Sequence, residues 1–275
     1  MKTPLPPLRD VIAAHGLGAN KALGQHFLLD LNITTKIARL LGAGAEDQIF
    51  EIGPGPGGLT RGLLDSGAVV IAIERDHRCM GVLQEISDYY DGRLQVIEDD
   101  ALKFDEASLL PKRGKVFIAS NLPYNISTEL LIKWLKAEPC WWSRMVLMFQ
   151  REVADRIMAA PGSKTYGRLS IISQSLSRVS KGFDLPARAF TPPPKVDSTV
   201  LVFDPIKNHG IDIARLETLT QAAFSQRRKM LRSSLKSVFG ARLEQALLEC
   251  EILPTARAED IAVDQWISLS GVAVS

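Results

Sequence analysis

The segment Asn121-Leu-Pro-Tyr124 combines an amide, a proline and a phenol directly after an apolar run that ends at Ser120. The Asn121 side-chain oxygen and the Leu122 carbonyl can each accept one N–H of an exocyclic aromatic amine such as adenine N6. Such an amine is a poor nucleophile because its lone pair is delocalised, and two hydrogen bonds that turn it toward tetrahedral geometry expose that lone pair. Pro123 stiffens the loop, and Tyr124 can stack on an extruded base. A strand-ending β-turn explains the same residue types without any chemistry.

A second candidate site, Glu51-Ile-Gly-Pro-Gly-Pro-Gly-Gly58, lies at the end of the first predicted strand. Glycine lets the backbone turn sharply and lets a ligand approach without meeting a Cβ atom, and the following helix directs its N-terminal N–H groups at that ligand. Glu74 ends the second predicted strand, where a carboxylate can accept both hydroxyls of a ribose. Together these features indicate an adenosine-type ligand. Taken alone, the loop is equally explained by a turn that needs glycine for its geometry.

The glycine loop favours S-adenosylmethionine over a nicotinamide dinucleotide. It reads Gly53-Pro-Gly55-Pro-Gly57 rather than G-x-G-x-x-G, and the acidic Glu51 before it suits a cationic ligand that has no pyrophosphate. Asp100, in Glu98-Asp-Asp-Ala101, can accept a hydrogen bond from the adenine amine, although an acidic turn facing water explains it as well. We predict that the fourth strand ends beside the third, so that Asn121 stands at the carboxyl edge above the methyl group of the donor.

The elements that must position these residues form a pattern typical of an open, mostly parallel sheet covered on both faces. Apolar, β-branched runs predict strands at Gln48–Ile52, Val69–Glu74, Leu94–Ile97, Lys115–Ser120, Met145–Phe149 and Ser198–Phe203. Helical patterns lie between them, one after an Asp30 N-cap and others around residues 58–66, 76–87, 127–137 and 151–159. From residue 205 onward only helical patterns follow. We therefore predict an α/β catalytic domain that binds S-adenosylmethionine over residues 1–204, and a small all-α domain over residues 205–275.

The composition is that of a globular protein and excludes several other classes. The 275 residues are 46% hydrophobic and 23% charged, with a net charge of only +2, so a polyanionic partner must meet a local basic patch. Three widely spaced cysteines indicate neither a disulfide framework nor a zinc site, and no metal is predicted. The N-terminus lacks the apolar segment of a signal peptide, and no run approaches the roughly 20 apolar residues that span a bilayer. A reducing cytoplasm fits these features.

Seven segments spread along the chain match one set of known motifs. They are Leu23-Gly-Gln-His-Phe-Leu28, Glu51-Ile-Gly-Pro-Gly55, Asp100-Ala101, Asn121-Leu-Pro-Tyr-Asn-Ile-Ser-Thr128, Tyr166-Gly-Arg-Leu-Ser170, Phe190-Thr-Pro-Pro-Pro-Lys-Val-Asp-Ser198 and Phe224-Ser-Gln-Arg-Arg-Lys229. With them the chain resembles the bacterial small-subunit (16S) ribosomal RNA adenine dimethyltransferases, the kasugamycin-sensitivity methyltransferase family, nearly from end to end. The resemblance implies a Rossmann-like class I methyltransferase fold and S-adenosylmethionine as the methyl donor.

The resemblance also implies which residues contact the donor. The family's contacts fall on His26, Leu28, Gly53, Glu74, Asp100 and Asn121, and the matching motifs add Glu51, Gly55 and Ala101. His26 stands where many relatives carry Asn, and a neutral imidazole can make a similar hydrogen bond.

The proline-rich segment Phe190-Thr-Pro-Pro-Pro-Lys195 has two interpretations. Consecutive prolines hold an extended, rigid segment, so Phe190 can be presented as a second platform that sandwiches the target base against Tyr124. Alternatively, the segment is a crossover into the last strand and Phe190 belongs to the core.

A basic cluster is expected to contact the RNA. Its members, at spacings that predict one face of a helix, are Arg227, Arg228, Lys229, Arg232 and Lys236. Arg144, Arg151 and Lys195 are expected near the rim of the active cleft. A solvated helix surface is the alternative for the cluster.

The implied reaction is two methyl transfers to each of two adjacent adenines in a hairpin near the 3′ end of 16S ribosomal RNA, during small-subunit assembly. The expected partner is that RNA within the immature subunit, and the enzyme is expected to be a cytoplasmic monomer. The alternatives are a large-subunit ribosomal RNA dimethyltransferase, a non-catalytic ribosome-assembly factor on the same scaffold and a nicotinamide oxidoreductase. Phe190–Lys195 and Phe224–Lys229 argue against the first alternative, and the intact Asn121–Tyr124 loop with Glu74 argues against the second.

Overall fold

The computed structural model describes residues 3–20, 24–207 and 210–273. Its strands are β1 (Phe27–Leu28), β2 (Gln48–Ile52), β3 (Val69–Glu74), β4 (Leu94–Glu98), β5 (Val116–Ser120), β6 (Arg144–Gln150), β7 (Ser177–Leu185), β8 (Phe190–Thr191) and β9 (Ser198–Pro205). Leu23, the first residue of the N-terminal motif, lies outside the described residues.

The central sheet has seven strands within those residues, in the order β4-β3-β2-β5-β6-β9-β7. β4, β3, β2, β5 and β6 run parallel to one another, and β9 is antiparallel to β6. All five residues of β2 are buried, as expected of an apolar strand that has neighbours on both sides and covered faces. The prediction of a mostly parallel sheet is confirmed.

The place of β5 in the sheet corrects one expectation. β5 pairs with β2, with Gln48 opposite Val116 and Glu51 opposite Ala119, so the fourth predicted strand lies beside the first and not beside the third. The chain builds outward from β2 through β3 to β4 and then starts again on the other side of β2. Such a reversal leaves a crevice at the carboxyl ends of the two central strands, where ligands of doubly wound sheets bind. Asn121, directly after β5, therefore follows the strand beside Glu51.

The helices are α1 (Leu8–Ala14), α2 (Leu31–Leu41), α3 (Gly58–Leu64), α4 (Met80–Tyr89), α5 (Ser127–Leu135), α6 (Arg151–Ile157), α7 (Arg168–Leu176), α8 (Ile213–Ser225), α9 (Leu231–Ser234), α10 (Lys236–Phe239), α11 (Leu243–Glu249) and α12 (Val263–Gly271). Asp30 caps α2 as predicted, because its carboxylate accepts the N–H of Asn32 at 2.9 Å. α2 ends at Gly42, which adopts the left-handed conformation. Among the helices described, none is long and apolar enough to cross a membrane.

By their internal contacts, the residues form two units. The first comprises Met1–Arg151 and Ser180–Asp204, and the second comprises Glu152–Val179 and Pro205–Ser275. One of these divisions lies after residue 204, where a domain limit is predicted, whereas residues 152–179, which are predicted within the first domain, fall in the second unit. Residues 152–179 group with the C-terminal helices because α7 packs against α8 and α12.

β7 and α7 are the longest elements without a counterpart in the predicted pattern. β7 buries only its two end residues, Ser177 and Leu185, so it lacks the apolar run by which the six predicted strands are recognised. α7 buries three serines, at positions 170, 173 and 175, and serine in a sequence favours turns and helix caps rather than a buried helix.

Candidate active site

A pocket of about 1150 Å³, counting its open mouth, lies in the first unit where the central parallel strands end. It is lined by every residue predicted to bind the donor, namely His26, Leu28, Glu51, Gly53, Gly55, Glu74, Asp100, Ala101 and Asn121. Leu122, Pro123 and Tyr124, which are predicted to hold the target base, line the same pocket. The predicted donor and acceptor groups therefore share one space.

The glycine loop between β2 and α3 has the backbone conformation that glycine alone adopts easily. Gly53, Gly55 and Gly57 all have positive φ angles, of 64°, 55° and 85°. A Cβ atom on Gly57 would lie 2.2 Å from the Ile86 side chain, and one on Gly55 would lie 3.1 Å from Phe27. Close packing of the loop against its surroundings therefore accounts for two of these glycines, and the loop backbone remains open to the pocket.

Glu74 is held at the end of β3 by three backbone donors. Its carboxylate accepts the N–H of Gly55 at 2.9 Å and the N–H groups of Arg75 and Asp76 at 2.8 Å each. Burial raises the pKa of Glu74, while these backbone hydrogen bonds oppose the rise. The carboxylate thus ties the glycine loop to β3 and stands fixed in the wall of the pocket.

Glu51 is almost fully buried, with 1% of its surface exposed, and its Oε2 has no hydrogen-bond partner among the described residues. Burial raises the pKa of Glu51 to about 8; the Thr60 hydroxyl opposes this rise and the charge of Glu74 adds to it. A buried carboxylate oxygen without a donor is costly unless a ligand supplies one. Beside the glycine loop, it suits a ligand that carries positive charge or N–H groups.

Asp100 begins the turn after β4. Its Oδ1 accepts the N–H of Leu102 at 3.1 Å, and its Oδ2 lies 3.7 Å from the Arg75 guanidinium. The side chain is 26% exposed. An acceptor oxygen therefore remains available to an amine in the pocket, and the Asx-type turn holds it there.

The Asn121 amide is oriented by a backbone group from the N-terminal motif. Its Nδ2 donates to the carbonyl of His26 at 2.8 Å, so the acceptor Oδ1 is directed away from that contact. The loop uses the carbonyls of Pro123 and Tyr124 for its own hydrogen bonds, to Ile126 N and Ser127 Oγ at 3.1 Å each. Within the described residues, no hydrogen bond to the Leu122 carbonyl is formed.

Tyr124 is half-buried and fixed at both its ring and its hydroxyl. The hydroxyl shares a hydrogen bond of 2.7 Å with Ser198 Oγ, and burial raises the Tyr124 pKa. The ring stacks on the His26 imidazole with centroids 5.6 Å apart and an angle of 29° between the planes. Tyr124 is therefore a rigid aromatic surface in the wall of the pocket.

Phe190 does not form a second platform for a base. Its side chain is 2% exposed and belongs to the hydrophobic core, and Phe190 pairs with Leu28 where β8 meets β1. In addition, His26 Nδ1 donates to the carbonyl of Pro192 at 2.8 Å. The segment Phe190–Pro192 thus anchors the N-terminal motif along the pocket, which is the second of the two interpretations considered above.

The basic cluster is not one helical face. α8 ends at Ser225, a turn follows, and the remaining positions fall on the short helices α9 and α10. Arg227 is engaged structurally, because its Nε lies 2.6 Å from Glu259 and its Nη2 donates to the Lys164 carbonyl at 2.9 Å. The other four members are exposed and form no ion pair within the described part of the chain; they are Arg228, Lys229, Arg232 and Lys236.

The expected rim residues have different surroundings. Arg144 lies at the start of β6, at the edge opposite the pocket, where it donates to Asp204 at 2.7 Å. Arg151 follows the end of β6 and contacts Asp184 and Asp197 at 3.6 and 3.5 Å. Lys195 is exposed. The placement of Arg144 at the rim is therefore wrong, since a residue that begins a strand lies a full strand length from the carboxyl edge.

Several further residues line the pocket that the sequence analysis does not single out as site residues, among them Gln25, Phe27 and Arg75. Phe27 contacts Gly55, Arg75 faces Asp100, and Gln25 donates to Asp76 at 2.8 Å. Gln25 and Phe27 flank His26 in the N-terminal motif, and Arg75 directly follows Glu74. Each of the three therefore lies next to a predicted site residue, and this position is the signal in the sequence that could have identified it. Their partners lie on distant segments, which a single sequence does not reveal.

The pocket residues fit S-adenosylmethionine. Four groups meet what an adenosine bearing a cationic chain requires. They are a glycine loop that leaves room for a ligand, a carboxylate fixed beside it, a buried carboxylate oxygen without a partner and a partly exposed carboxylate on the β4 turn. No group of three His, Cys, Asp or Glu side chains that can bind a metal occurs in residues 3–20, 24–207 and 210–273.

The chain matches the profile of the ribosomal RNA adenine dimethylases over residues 16–273. It is 54% identical over 272 residues to the ribosomal RNA small subunit methyltransferase A of Maricaulis maris, an alignment that covers 97% of this chain and 94% of that protein. A solved dimethyladenosine transferase from Plasmodium falciparum aligns with a TM-score of 0.75 and 26% identity, over 89% of this chain and 96% of that one. The solved 23S rRNA methyltransferase ErmE gives a TM-score of 0.70 at 23% identity, over 89% and 98% of the two chains, and shows a shared fold.

Proposed function

Because the chain belongs to the ribosomal RNA adenine dimethylase family and is therefore a methyltransferase, we propose that it transfers methyl groups from S-adenosylmethionine to N6 of adenines in small-subunit ribosomal RNA. The 54% identity with a protein named for the small subunit supports this choice of RNA. The expected products are two adjacent dimethyladenines in the hairpin near the 3′ end.

The donor-binding role falls to the wall of the pocket made by β2, β3 and the β4 turn. With the donor bound, Glu74 would accept hydrogen bonds from the ribose hydroxyls and Asp100 would accept one from the adenine amine. Glu51 would face the cationic part of the ligand. S-adenosylmethionine supplies an electrophilic methyl group when it is bound. The remaining steps of the mechanism depend on how the chain holds the other substrate, the target adenine, and orients its N6 nitrogen.

The observation that carries the proposal is the fixed amide of Asn121. Because its nitrogen is engaged by His26 O at 2.8 Å, its oxygen is the atom left to accept an N–H from the target amine. The Leu122 carbonyl accepts the second N–H, and the nitrogen lone pair is thereby exposed for attack. Tyr124 stacks on the flipped base and holds it at the pocket mouth. No side-chain base is needed, because a methylated, positively charged amine is acidic enough to lose its proton to water.

RNA contacts in the helical unit fall to the four exposed members of the basic cluster, Arg228, Lys229, Arg232 and Lys236. Exposed cations without ion-pair partners can neutralise phosphates without first breaking a salt bridge.

Within this proposal, the α/β domain up to residue 204 is catalytic and residues 205–275 bind RNA. The enzyme acts as a monomer on the immature small subunit, in the cytoplasm where subunits are assembled.

The large-subunit alternative rests on the ErmE likeness, which at 23% identity concerns the fold alone. The non-catalytic alternative is disfavoured by the intact set of donor and acceptor groups in one pocket. A role in checking subunit assembly is compatible with catalysis.

The test uses purified protein, methyl-labelled S-adenosylmethionine and ribosomal subunits that lack the modification. Incubation with small and with large subunits, followed by digestion of the RNA and mapping of the label, separates the candidates. We expect N6,N6-dimethyladenine at two adjacent positions of the small-subunit RNA. Label on large subunits alone would establish the large-subunit activity, and absence of label from both would leave a binding factor. Asn121→Ala, whose kcat should be lower by about one to two powers of ten, is the matched control of reduced activity.

A further inference from the structure

Lys133 on α5 connects that helix to the turn that follows β4. Its ammonium group donates to the carbonyls of Ala101 and Phe104 at 2.8 and 2.5 Å, and lies 2.8 Å from the Glu106 carboxylate. An ammonium group has three N–H donors and here finds three acceptors. The side chain is 28% exposed, so these contacts are partly shielded from water.

The turn that Lys133 contacts is folded around Asp100. The N–H groups of Lys103 and Phe104 both donate to the Asp100 carbonyl, at 2.9 and 3.0 Å, and Leu102 N donates to the Asp100 side chain. This arrangement brings the carbonyls of Ala101 and Phe104 to the same side. Two carbonyl oxygens and a carboxylate that point at one another repel unless a cation lies between them. Lys133 is that cation.

Glu106 holds the other end of the contact. Its side chain is 3% exposed and also accepts the indole N–H of Trp134 at 2.9 Å. The carbonyl of Trp134 in turn accepts the indole N–H of Trp142 at 2.8 Å. The position of the Lys133 ammonium is therefore set by a buried network and not only by its own flexible stem.

We propose that Lys133 is a positioning residue for the donor site: by clamping the turn after β4, it holds Asp100 and Ala101 in place against the adenosine part of S-adenosylmethionine. The inference rests on the proposed donor and deepens it. α5 also begins three residues after Tyr124, so the helix that carries the clamp continues directly from the loop that holds the target base. The donor clamp and the loop that holds the target base are thus neighbours along the chain.

The test measures ligand affinity without RNA, by titration calorimetry. Lys133→Met keeps the length of the side chain and removes the cation. We expect its Kd for S-adenosylmethionine to rise about tenfold, the effect of losing one or two net hydrogen bonds. We expect the same factor for 5′-methylthioadenosine, which has the adenine and ribose but lacks the amino-acid part. With saturating donor, kcat should stay within about twofold of the unsubstituted enzyme, because the groups that hold the adenine N6 are unchanged.

Matched variants separate positioning from general damage. Lys103→Met removes an exposed lysine from the same turn and should leave both Kd values unchanged. Lys133→Arg keeps a cation with several donors and should recover most of the affinity. In the ligand-free protein, hydrogen exchange of the amides of residues 102–104 should be faster in Lys133→Met. If Lys133→Met does not fold, Lys133→Gln is assessed by the same criteria.

Unchanged ligand affinity with unchanged exchange of the turn would overturn the proposal, as would a loss confined to kcat. Since the affinity and hydrogen-exchange measurements use no RNA, a failure to methylate small subunits would refute the proposed substrate and leave those two results standing. If the unsubstituted protein binds neither ligand, the proposed donor fails, and the exchange measurement still decides whether Lys133 holds the turn.

Discussion

The side-chain nitrogen of Asn121 lies 2.8 Å from the main-chain oxygen of His26. This contact joins the loop after β5 to the N-terminal motif, which is itself held by the pairing of β1 with β8. It also decides which end of the amide faces the pocket, because a carbonyl can only accept. The acceptor function of Asn121 therefore depends on a backbone group from a distant part of the chain.

Substituting Asn121 tests whether its oxygen positions the target amine. We expect Asn121→Ala to lower kcat by about one to two powers of ten, since one hydrogen bond to the reacting nitrogen is worth about 1 to 3 kcal/mol. Asn121→Asp keeps an acceptor and loses the N–H that donates to His26 O, so it should also be impaired. Single-turnover methylation measures the rate, and calorimetry checks that the donor still binds. Undiminished methylation by Asn121→Ala would refute the proposed role.

Glu51 should make the ligand-free protein less stable as the pH rises. Its pKa in the folded protein is about 8, against an ordinary value of 4.5, so between these values the folded state keeps a proton that the unfolded state releases. The stabilisation is complete below about pH 4.5 and is lost as pH rises toward 8, with a slope of at most about 1.4 kcal/mol per pH unit. Glu51→Gln stays neutral throughout and lacks this contribution.

Urea denaturation of both proteins at several pH values checks the Glu51 prediction. The free energy of unfolding of the unsubstituted protein minus that of Glu51→Gln should fall from pH 5 to pH 8. Glu74, whose pKa is raised in the same direction, is present in both proteins and largely cancels in the difference. A difference that does not change with pH would mean that Glu51 is already ionised at pH 5.

The ring of Tyr124, rather than its hydroxyl, should matter for the RNA substrate. Stacking of a base on an aromatic side chain is worth about 1 to 3 kcal/mol, so Tyr124→Ala should lower kcat/KM for RNA by about 10- to 100-fold. Tyr124→Phe keeps the ring and loses only the hydrogen bond to Ser198. It should retain most of the activity, and its free energy of unfolding should be lower by about 1 kcal/mol. Equal losses in both variants would assign the effect to the hydroxyl.

Arg227 and Arg228 are adjacent in the chain and should behave oppositely. Arg227 is bound to Glu259 and to a main-chain carbonyl, so Arg227→Ala should lower the free energy of unfolding by about 1 to 2 kcal/mol. Arg228 is exposed, and Arg228→Ala should leave stability within about 0.5 kcal/mol. Arg228→Ala should instead weaken RNA binding and reduce the slope of log K against log salt by about 0.7 to 0.9. Chemical denaturation and filter binding at several salt concentrations separate the two effects.

The sequence predicts those features that depend on neighbouring residues. The limits of β2 and β3, Gln48–Ile52 and Val69–Glu74, follow from short segments rich in apolar, β-branched residues, because strands covered on both faces have no reason to alternate. The Asp30 cap is likewise a local hydrogen bond. The predicted donor contacts at the ends of β2, β3, β4 and β5 line one pocket because strand ends in a parallel sheet meet at one edge.

Features that depend on distant partners are the ones that the sequence does not predict. The residues next to Arg227 in the sequence do not indicate that it pairs with Glu259. Those next to Lys133 do not indicate that it contacts the carbonyls of the turn after β4. The place of β5 beside β2 depends on the direction in which the chain crosses the sheet, and no residue type encodes that direction. Phe190 belongs to the same group, because its ring is buried in a core built from distant segments, where β8 pairs with β1.

Phe190 should therefore act through stability and not through base stacking. Its ring is 2% exposed within the core of the first unit, so Phe190→Ala should lower the free energy of unfolding by about 3 to 5 kcal/mol. Phe190→Leu, which fills most of the space, should cost less than half as much and keep RNA methylation near normal at temperatures where it is folded. A platform residue would give the reverse pattern, with stable variants that bind donor normally and lose kcat/KM for RNA. Urea denaturation together with methylation assays on both variants distinguishes these outcomes, because the leucine variant lacks an aromatic ring but retains an apolar core side chain.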